Sequence, residues 1–112
     1  HARALLFPID WPEPFGLVMI EAMAAGTPVI AWRSGSVPEI VTDGVSGVIV
    51  DSIEQAVDSV RRIRTLSRAA VRREFERRFT VDRMAQDYIR VYERLLSGEQ
   101  QPEMAVASGR AA

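Results

Sequence analysis

The sequence contains neither cysteine nor lysine, and its single histidine is the first residue. The lack of cysteine excludes disulfides, thiolate catalysis and zinc sites built from thiolates. One terminal histidine does not support a histidine-ligated metal centre or a serine–histidine catalytic pair. No apolar run reaches the roughly 18 uncharged residues that span a bilayer, and no signal peptide is visible. The chemistry must therefore be sought among the carboxylates and the backbone.

Length and composition are those of one globular domain with a modest core. The chain has 112 residues, of which 47% are hydrophobic and 26% charged. It begins with His1 rather than methionine and enters an apolar run within three residues. We therefore expect a piece cut from a longer polypeptide. A cytoplasmic location is a separate expectation.

The basic residues are all arginine, and eight of them lie between Arg61 and Arg78 against only two acids, Glu74 and Glu76. The favoured interpretation is the solvated face of surface helices. Peripheral docking on an acidic membrane is the sharper alternative, and an arginine-rich surface for protein partners is another. Nucleic acid is not an expected partner, because no aromatic residues are interleaved with the arginines.

The fold class follows from short apolar runs that alternate with helical segments. Strands are predicted at 3–7, 28–32 and 47–51, and helices at 16–25, 36–41, 53–64, 68–78 and 81–96. This order predicts an α/β fold, a partial Rossmann-like parallel sheet of about three strands flanked by helices. Three strands are few for such a sheet, so we expect missing strands upstream. We predict one domain at 1–97 and a disordered tail at 98–112.

Two of the helices show clear local signals. Ser52 is a predicted N-cap, with Gln55 completing a capping box. Apolar residues on one face of each helix are expected to meet the core. These stripes are Ile53, Val57 and Val60, with Ile63 beside them, in the helix at 53–64, and Met84, Tyr88, Val91 and Leu95 in the helix at 81–96. The first predicted helix, 16–25, is apolar all round, so we expect burial over most of its circumference.

The stretch 14–32 contains one ionisable side chain, Glu21, and Glu13 lies just before it. A carboxylate buried in so apolar a stretch needs a hydrogen-bonding partner. A polyol ligand is the interpretation that we favour. Two alternatives stay open: Glu21 pairs with Arg3 or Arg33, and Glu13 is a solvated loop residue.

The predicted site is the loop at the carboxyl end of the first strand, which leads into the first helix. Ligands of open α/β sheets bind at such ends. Gly16 allows close approach, and the first N–H groups of the helix, at Gly16, Leu17 and Val18, suit a phosphate. Glu21 follows about one turn later, and Glu13 lies on the other side of that anion. Two carboxylates separated by a phosphate site indicate a nucleotide-diphosphate sugar.

The string from Glu13 to Glu21, EPFGLVMIE, resembles the E-x7-E signature of family-4-type ("group 1") retaining glycosyltransferases of the GT-B fold. The resemblance covers about residues 4–50 and is highly specific as a whole. The further matching positions are Ala22, Gly26, Pro28, Val29, Ile30, Gly35, Pro38, Glu39, Asp43, Gly44 and Gly47.

The resemblance implies a role for each site residue. Glu13 would contact hydroxyls of the donor sugar and is the candidate catalytic residue, acting by orientation rather than as a nucleophile. Glu21 would contact the ribose, and the backbone at Phe15, Gly16 and Leu17 would lie along the sugar and diphosphate. The implied reaction is hexosyl transfer with retention of configuration, with no metal or other cofactor.

The departures from the family concern what the chain lacks. The family supplies an arginine and a lysine to the diphosphate from an upstream loop, and it binds the acceptor through an N-terminal domain. Neither is present in this sequence, so we expect the C-terminal donor-binding fragment to be inactive alone. The alternative is a non-catalytic nucleotide-sugar-binding module or a truncated remnant. Glu39 is expected to support local structure, and Arg33 to lie near the strand end.

Overall fold

A computed structural model describes residues 1–98 of the chain, which divides into two units, 1–80 and 81 onward. The elements, in chain order, are β1 Leu5–Phe7, α1 Leu17–Ala24, β2 Val29–Trp32, α2 Val37–Ile40, β3 Gly47–Val50, α3 Ile53–Arg62, a 3-10 turn Ile63–Thr65, α4 Arg68–Arg78 and α5 Val81–Ser97. Every predicted strand and helix has a counterpart. The predicted domain 1–97 contains both described units, and the predicted tail lies outside the described residues from position 99 onward.

The first unit is built on a parallel sheet in the order β1-β2-β3. Leu5 is in register with Val29, and Val29 with Gly47. Successive strand residues face opposite sides of a sheet, and β2 shows this directly. Val29 and Ala31 join the core beneath α1 and α4, whereas Ile30 joins the core beneath α3. The predicted α/β class, with a three-stranded parallel sheet flanked by helices, is confirmed.

Helix α1 buries one face rather than most of its circumference, so that prediction was wrong. Met19 and Met23, four residues apart, are fully buried against the sheet. Leu17, one turn before Glu21, is 64% exposed, and Glu21 is exposed as well. The sheet and α4 contact only one side of α1, which leaves an apolar surface open on the other.

Helix α3 has the predicted Ser52 N-cap, but Gln55 does not close the capping box on the Ser52 N–H, and the helix buries a different face from the predicted one. Ser52 accepts a hydrogen bond from the Gln55 N–H at 3.2 Å, while the Gln55 side chain accepts from the Asp51 N–H at 2.8 Å. Ala56 and Ser59 are buried against the sheet. Ile53, Val57 and Val60 of the predicted core stripe are 57–70% exposed, so their predicted burial was wrong, whereas Ile63 beside them is buried. Small side chains allow the helix to approach the sheet closely, which the larger stripe would prevent.

Several α4 arginines bind the rest of the chain, so the prediction of a simple solvated face holds only in part. Arg68 donates to the carbonyl oxygen of Ala25 at 3.4 Å, and Arg72 donates to that of Ala24. These carbonyls lie at the end of α1, where the helix itself supplies no donor. Arg78 does the same for α2, donating to the Ile40 carbonyl oxygen at 3.2 Å. The arginines of α4 therefore hydrogen-bond α4 to the carboxyl ends of α1 and α2.

A buried carboxylate accompanies these arginines. Glu74 is 8% exposed and accepts hydrogen bonds from three side chains, those of Thr42, Arg77 and Arg78, at 2.8, 2.7 and 3.0 Å. Burial by itself raises the pKa of Glu74, but the hydrogen bonds from Arg77, Thr42 and Arg78 outweigh it and hold the pKa below its ordinary value. The sequence does not indicate this cluster, because Thr42 lies 32 residues from Glu74 along the chain.

The described part of the second unit is α5, whose bounds agree with the predicted helix to within one residue. Asp87 accepts hydrogen bonds from Arg83 and Arg90, one turn before and after it, and such pairs stabilise the helix. Met84, Tyr88 and Leu95 of its predicted stripe are exposed, and Val91 is half-buried. Across the described helices none is long and apolar enough to cross a membrane.

Candidate functional site

Two loops meet at the carboxyl edge of the sheet. The first, 8–16, follows β1, and the second, 33–36, follows β2, the neighbouring parallel strand. Three hydrogen bonds join them: Ser34 Oγ to the Trp11 carbonyl oxygen at 2.7 Å, Ser36 N–H to that of Glu13 at 2.9 Å, and Ser36 Oγ to that of Phe15 at 2.7 Å. The second loop therefore holds the backbone of the first at every other residue.

Gly35 makes this contact possible. Its φ is +49°, and a Cβ atom there would lie 2.4 Å from the Glu13 nitrogen and 2.5 Å from the Glu13 carbonyl oxygen. Only glycine tolerates both the left-handed conformation and the close approach. Gly35 was noted in the sequence only as a position that matches the family, and this role was not predicted. The signal available was a glycine between two serines directly after a buried strand.

Gly16 directly precedes α1 with a φ of +76°, and a side chain at this position would overlap neighbouring atoms. A Cβ atom there would lie 2.7 Å from Met19 Cε. Within the described part of the chain no side chain caps the helix, so the N–H groups of Leu17 and Val18 at its first turn are free of side-chain acceptors there. The Gly16 N–H itself donates to Glu13 Oε1 at 3.2 Å. Of the three predicted phosphate-binding N–H groups, that of Gly16 is therefore already engaged.

Glu13 is half-buried, and both its carboxylate oxygens accept hydrogen bonds. Oε1 accepts from the Gly16 N–H, and Oε2 accepts from Trp11 Nε1 at 3.1 Å. The alternative that Glu13 is a merely solvated loop residue is therefore wrong. An ionised carboxylate has about four acceptor positions, so roughly half of them remain open. The structure fixes this carboxylate while leaving it able to accept hydrogen bonds from a ligand.

Glu21 is placed differently from what the sequence suggested. Its side chain is exposed on α1, so the burial that first drew attention to it does not occur. Within residues 1–98 its carboxylate has no hydrogen bond or ion pair. Arg33 pairs with Asp51 at 3.0 Å instead, which overturns the alternative of an Arg33–Glu21 pair. No Arg3–Glu21 pair forms within that range either.

The remaining predicted site residues surround these carboxylates with apolar surface. Phe15 and Val18 are about 40% exposed, and Leu17 is more exposed still. The Phe15 ring meets Phe79 edge to face, with centroids 6.4 Å apart, which ties the loop to the end of α4. Glu39 lies on α2 with its side chain exposed, while its carbonyl oxygen accepts from Arg78. The structural support predicted for Glu39 therefore comes from its backbone.

The arrangement as a whole presents hydrogen-bond acceptors and backbone donors on an open, partly apolar surface. Glu13 and Glu21 supply the acceptors, and the start of α1 supplies the donors. Among residues 1–98 no group of three histidine, cysteine, aspartate or glutamate side chains is arranged to hold a metal ion. A ligand with hydroxyls at its ends and an anion between them would match this order of groups.

Comparison with known proteins gives one family and several relatives. The family model described as "Glycosyl transferases group 1" matches residues 1–80. D-inositol 3-phosphate glycosyltransferase of Segniliparus rotundus is 46% identical over 68 residues, 53% of this chain and 15% of that protein. Spore coat protein SA of Bacillus subtilis is 34% identical over 94 residues, 76% of this chain and 25% of that protein.

A solved structure is similar in both sequence and fold. Sucrose-phosphate synthase from Thermosynechococcus elongatus is 32% identical, with a TM-score of 0.63. The match covers 77% of this chain and 24% of that structure. The chain thus spans a quarter or less of each of these three proteins.

Proposed function

Because the chain belongs to the group 1 glycosyl transferases of the GT-B fold, we propose that it forms the C-terminal, donor-binding part of a sugar-transferring enzyme. The donor is a nucleotide-diphosphate sugar, and a hexose passes to the acceptor with retention of anomeric configuration. The observation that carries the proposal is the fixed Glu13 carboxylate, which keeps open acceptor positions beside the uncapped start of α1.

Each group of the site has a part in this proposal. Glu13 accepts hydrogen bonds from hydroxyls of the donor sugar and orients the ring, which lowers the entropic part of the barrier. The N–H groups of Leu17 and Val18 face the diphosphate, where the positive end of the helix dipole favours an anion. The Phe15 and Gly16 backbone lies along the sugar and the diphosphate. The exposed Glu21, one turn along α1, accepts from the ribose hydroxyls.

Departure of the nucleoside diphosphate is the step that needs most electrostatic help. Backbone N–H groups supply part of it, and cationic side chains are the usual remainder. Arg33, at the end of the adjacent strand, already pairs with Asp51. We therefore expect the cations to come from another part of the enzyme and the chain alone to transfer little or no sugar. The proposal requires no metal ion and no other cofactor.

The relatives support a donor-side role for the segment that they share with this chain. One is named for D-inositol 3-phosphate and another for sucrose phosphate, so their names differ in the sugar or polyol concerned. A segment similar to both is best suited to what they have in common, the binding of the sugar donor. In this proposal the acceptor is bound through an N-terminal domain.

The experiment compares two site variants with a control. Glu21→Gln should weaken nucleotide-sugar binding about tenfold, since a charge-assisted acceptor is lost. Glu13→Gln should lower turnover about 100-fold, with a smaller change in affinity, because it disturbs orientation. Glu76→Gln, on the exposed surface of α4, should change neither. Calorimetric donor titration and sugar-transfer assays measure these effects in the polypeptide expressed from its natural gene. If both site variants behave like Glu76→Gln, the proposal is rejected.

A non-catalytic nucleotide-sugar-binding module is the second candidate. It is favoured by the fact that both ionisable side chains placed in the site are carboxylates, with the nearby Arg33 paired elsewhere. Saturation-transfer NMR with a panel of nucleotide sugars separates the two functions when it is combined with a transfer assay. Binding without transfer by the natural polypeptide would favour the module. An upstream reading frame that encodes an arginine and a lysine in a glycine-rich loop would favour the enzyme.

A cytoplasmic location is part of the same proposal, and peripheral membrane contact is its less supported extension. Arg68, Arg72 and Arg78 bind oxygen atoms of the chain itself, which leaves fewer guanidinium groups for anionic lipid. Liposome co-sedimentation across a salt series tests the extension. Binding that depends on neither anionic lipid nor salt would count against it.

A further inference from the structure

Trp11 has no role in the proposed function, yet it is one of the two residues that hold Glu13. Trp11 is 55% exposed, although tryptophan is a residue whose burial is strongly stabilising. Packing in the core therefore does not account for its position. The contact that its polar atom makes is with Glu13 Oε2, at 3.1 Å.

Two hydrogen bonds hold the backbone of Trp11, which fixes the point from which the indole reaches Glu13. Its carbonyl oxygen accepts from the Glu13 N–H at 2.8 Å and from Ser34 Oγ at 2.7 Å. Pro12 and Pro14 lie on either side of Glu13, and each ring fixes one φ angle of the loop. The indole and the carboxylate thus belong to one short, constrained segment that the second loop supports.

The two hydrogen bonds to Glu13 fall on different oxygens, and this has a geometric consequence. With only the Gly16 N–H bound, the carboxylate could pivot about Oε1. A second donor on Oε2 fixes the plane of the group and the directions of its open lone pairs. Reacting groups lose rate steeply when their orientation is loose.

We propose that Trp11 is a positioning residue for Glu13: its indole N–H holds Oε2, so that the open lone pairs of the carboxylate face the hydroxyls of the transferred sugar. This inference rests on the proposed function of Glu13. It adds a requirement that the proposed function does not contain, namely a side chain at position 11 that donates a hydrogen bond to Glu13.

The test separates hydrogen-bond donation from the bulk of the ring. Trp11→Phe keeps an aromatic ring but removes the N–H, and Trp11→Gln removes the ring but keeps an N–H donor. Trp32→Phe, at the end of β2, is the matched control. The assay uses the polypeptide expressed from its natural gene, with thermal melting to establish that each variant is folded.

We expect Trp11→Phe to lower kcat about tenfold, the effect of one lost charge-assisted hydrogen bond in the oriented complex. Affinity for the nucleoside diphosphate alone should stay within about twofold of that of the wild type, because that ligand has no hexose for Glu13 to orient. Trp11→Gln should recover part of the lost kcat. A purely structural role would lower kcat and affinity together and would not be rescued by Gln.

Fluorescence supplies a second readout, because the chain has only two tryptophans. In Trp32→Phe, the emission comes from Trp11. It should shift when the nucleotide sugar is added and remain nearly constant with the nucleoside diphosphate.

The outcomes distinguish the inference from the function. If the wild type neither binds nor transfers from a nucleotide sugar, the proposed function fails and the inference fails with it. If the wild type transfers sugar and Trp11→Phe matches it, the inference alone fails. Equal losses in Trp11→Phe and Trp11→Gln would also overturn it, since donation would then not be the property that matters.

Discussion

Hydrogen bonds hold two carboxylates of this chain, Glu13 and Glu74. The two differ in how far they remain able to accept hydrogen bonds from a ligand. Glu74 is buried on α4 and accepts from three side chains, two of them arginines. Glu13 is half-buried at the carboxyl edge of the sheet and accepts from one backbone N–H and one indole. Both are fixed in place, but only Glu13 has open acceptor positions beside solvent.

The difference indicates how to separate a structural carboxylate from one available to a ligand. Glu74 has its charge balanced by Arg77 and Arg78, so a further partner would have to displace one of them. Glu13 has no cationic partner within the described residues. Burial alone would have selected Glu74 as the unusual group. The open lone pairs and the missing countercharge select Glu13.

The largest loss of stability should come from a change in the contact between Gly35 and the backbone of Glu13. Gly35→Ala should destabilise the chain by about 3 kcal/mol, since the new Cβ atom combines backbone strain with overlap. Gly44→Ala is the control: its φ of +77° carries similar strain, but nothing lies within 4 Å. It should cost about 1 kcal/mol. Urea unfolding measures both, and equal losses would show that the loop contact contributes little.

Removal of the Glu74 charge should have the next largest effect. Glu74→Gln should destabilise the chain by roughly 2 kcal/mol, because it leaves the Thr42 hydroxyl and two guanidinium groups facing an uncharged amide. Glu76→Gln removes an exposed partner of Arg72 on the same helix and should cost less than about 1 kcal/mol. Denaturant titrations of the two variants test the contrast. A Glu76→Gln loss as large as that of Glu74→Gln would contradict the assignment of Glu74 as the structural carboxylate.

The pH dependence of stability should follow Glu74. Its pKa is lower in the folded chain than the ordinary 4.5, since hydrogen bonds from Arg77, Thr42 and Arg78 outweigh the effect of burial. Such a group stabilises the fold fully above the unfolded pKa, and the stabilisation disappears as the pH falls through the folded pKa. The stability difference between wild type and Glu74→Gln should therefore be constant near neutral pH and shrink under acid conditions. A difference that grows as the pH falls would rule this out.

The smallest effects should distinguish Glu13 from Glu21. Glu13→Gln should cost about 1 kcal/mol, because a charged acceptor for two donors is lost. Glu21→Gln should change the stability by less than about 0.5 kcal/mol, as expected for an exposed side chain without a partner. Thermal unfolding in the absence of ligand compares the two. A larger loss for Glu21→Gln would indicate a structural role that its contacts do not suggest.

Much of the fold could be predicted because its signals are local. The strands are short apolar runs, Ser52 caps α3 as its spacing with Gln55 indicated, and the string from Glu13 to Glu21 identified the family. The rotation of α3 could not be predicted, because its amphipathic pattern favoured the side with Ile53 and Val57. The sheet instead packs against Ala56 and Ser59, whose small side chains allow close approach, and the amphipathic pattern does not report how closely a helix approaches a sheet.

The candidate site was located from the sequence, but its internal support was not. Glu13 and Glu21 stood out as carboxylates around an apolar helix start. Gly35 and Ser36 were not singled out as partners of the loop, since the loop residues that they contact lie 21 to 23 residues away in the sequence and their neighbours give no periodic signal. The burial assumed for Glu21 was wrong because composition reports how apolar a stretch is, not which of its faces meets the core.

The sequence by itself determined the family, the alternation of strands and helices, and the residue types at the edge of the sheet, because these depend on neighbouring residues and their spacing. The tertiary structure decided which carboxylate is satisfied. Glu74 accepts three hydrogen bonds and has its charge balanced, because α4 packs against Thr42 and carries Arg77 and Arg78 beside it. The Glu13 carboxylate is oriented by hydrogen bonds from Trp11 and Gly16, and its backbone carbonyl accepts a hydrogen bond from the second loop. Hydrogen bonding requires particular atoms at about 3 Å, and only the folded chain sets such distances between residues far apart in sequence.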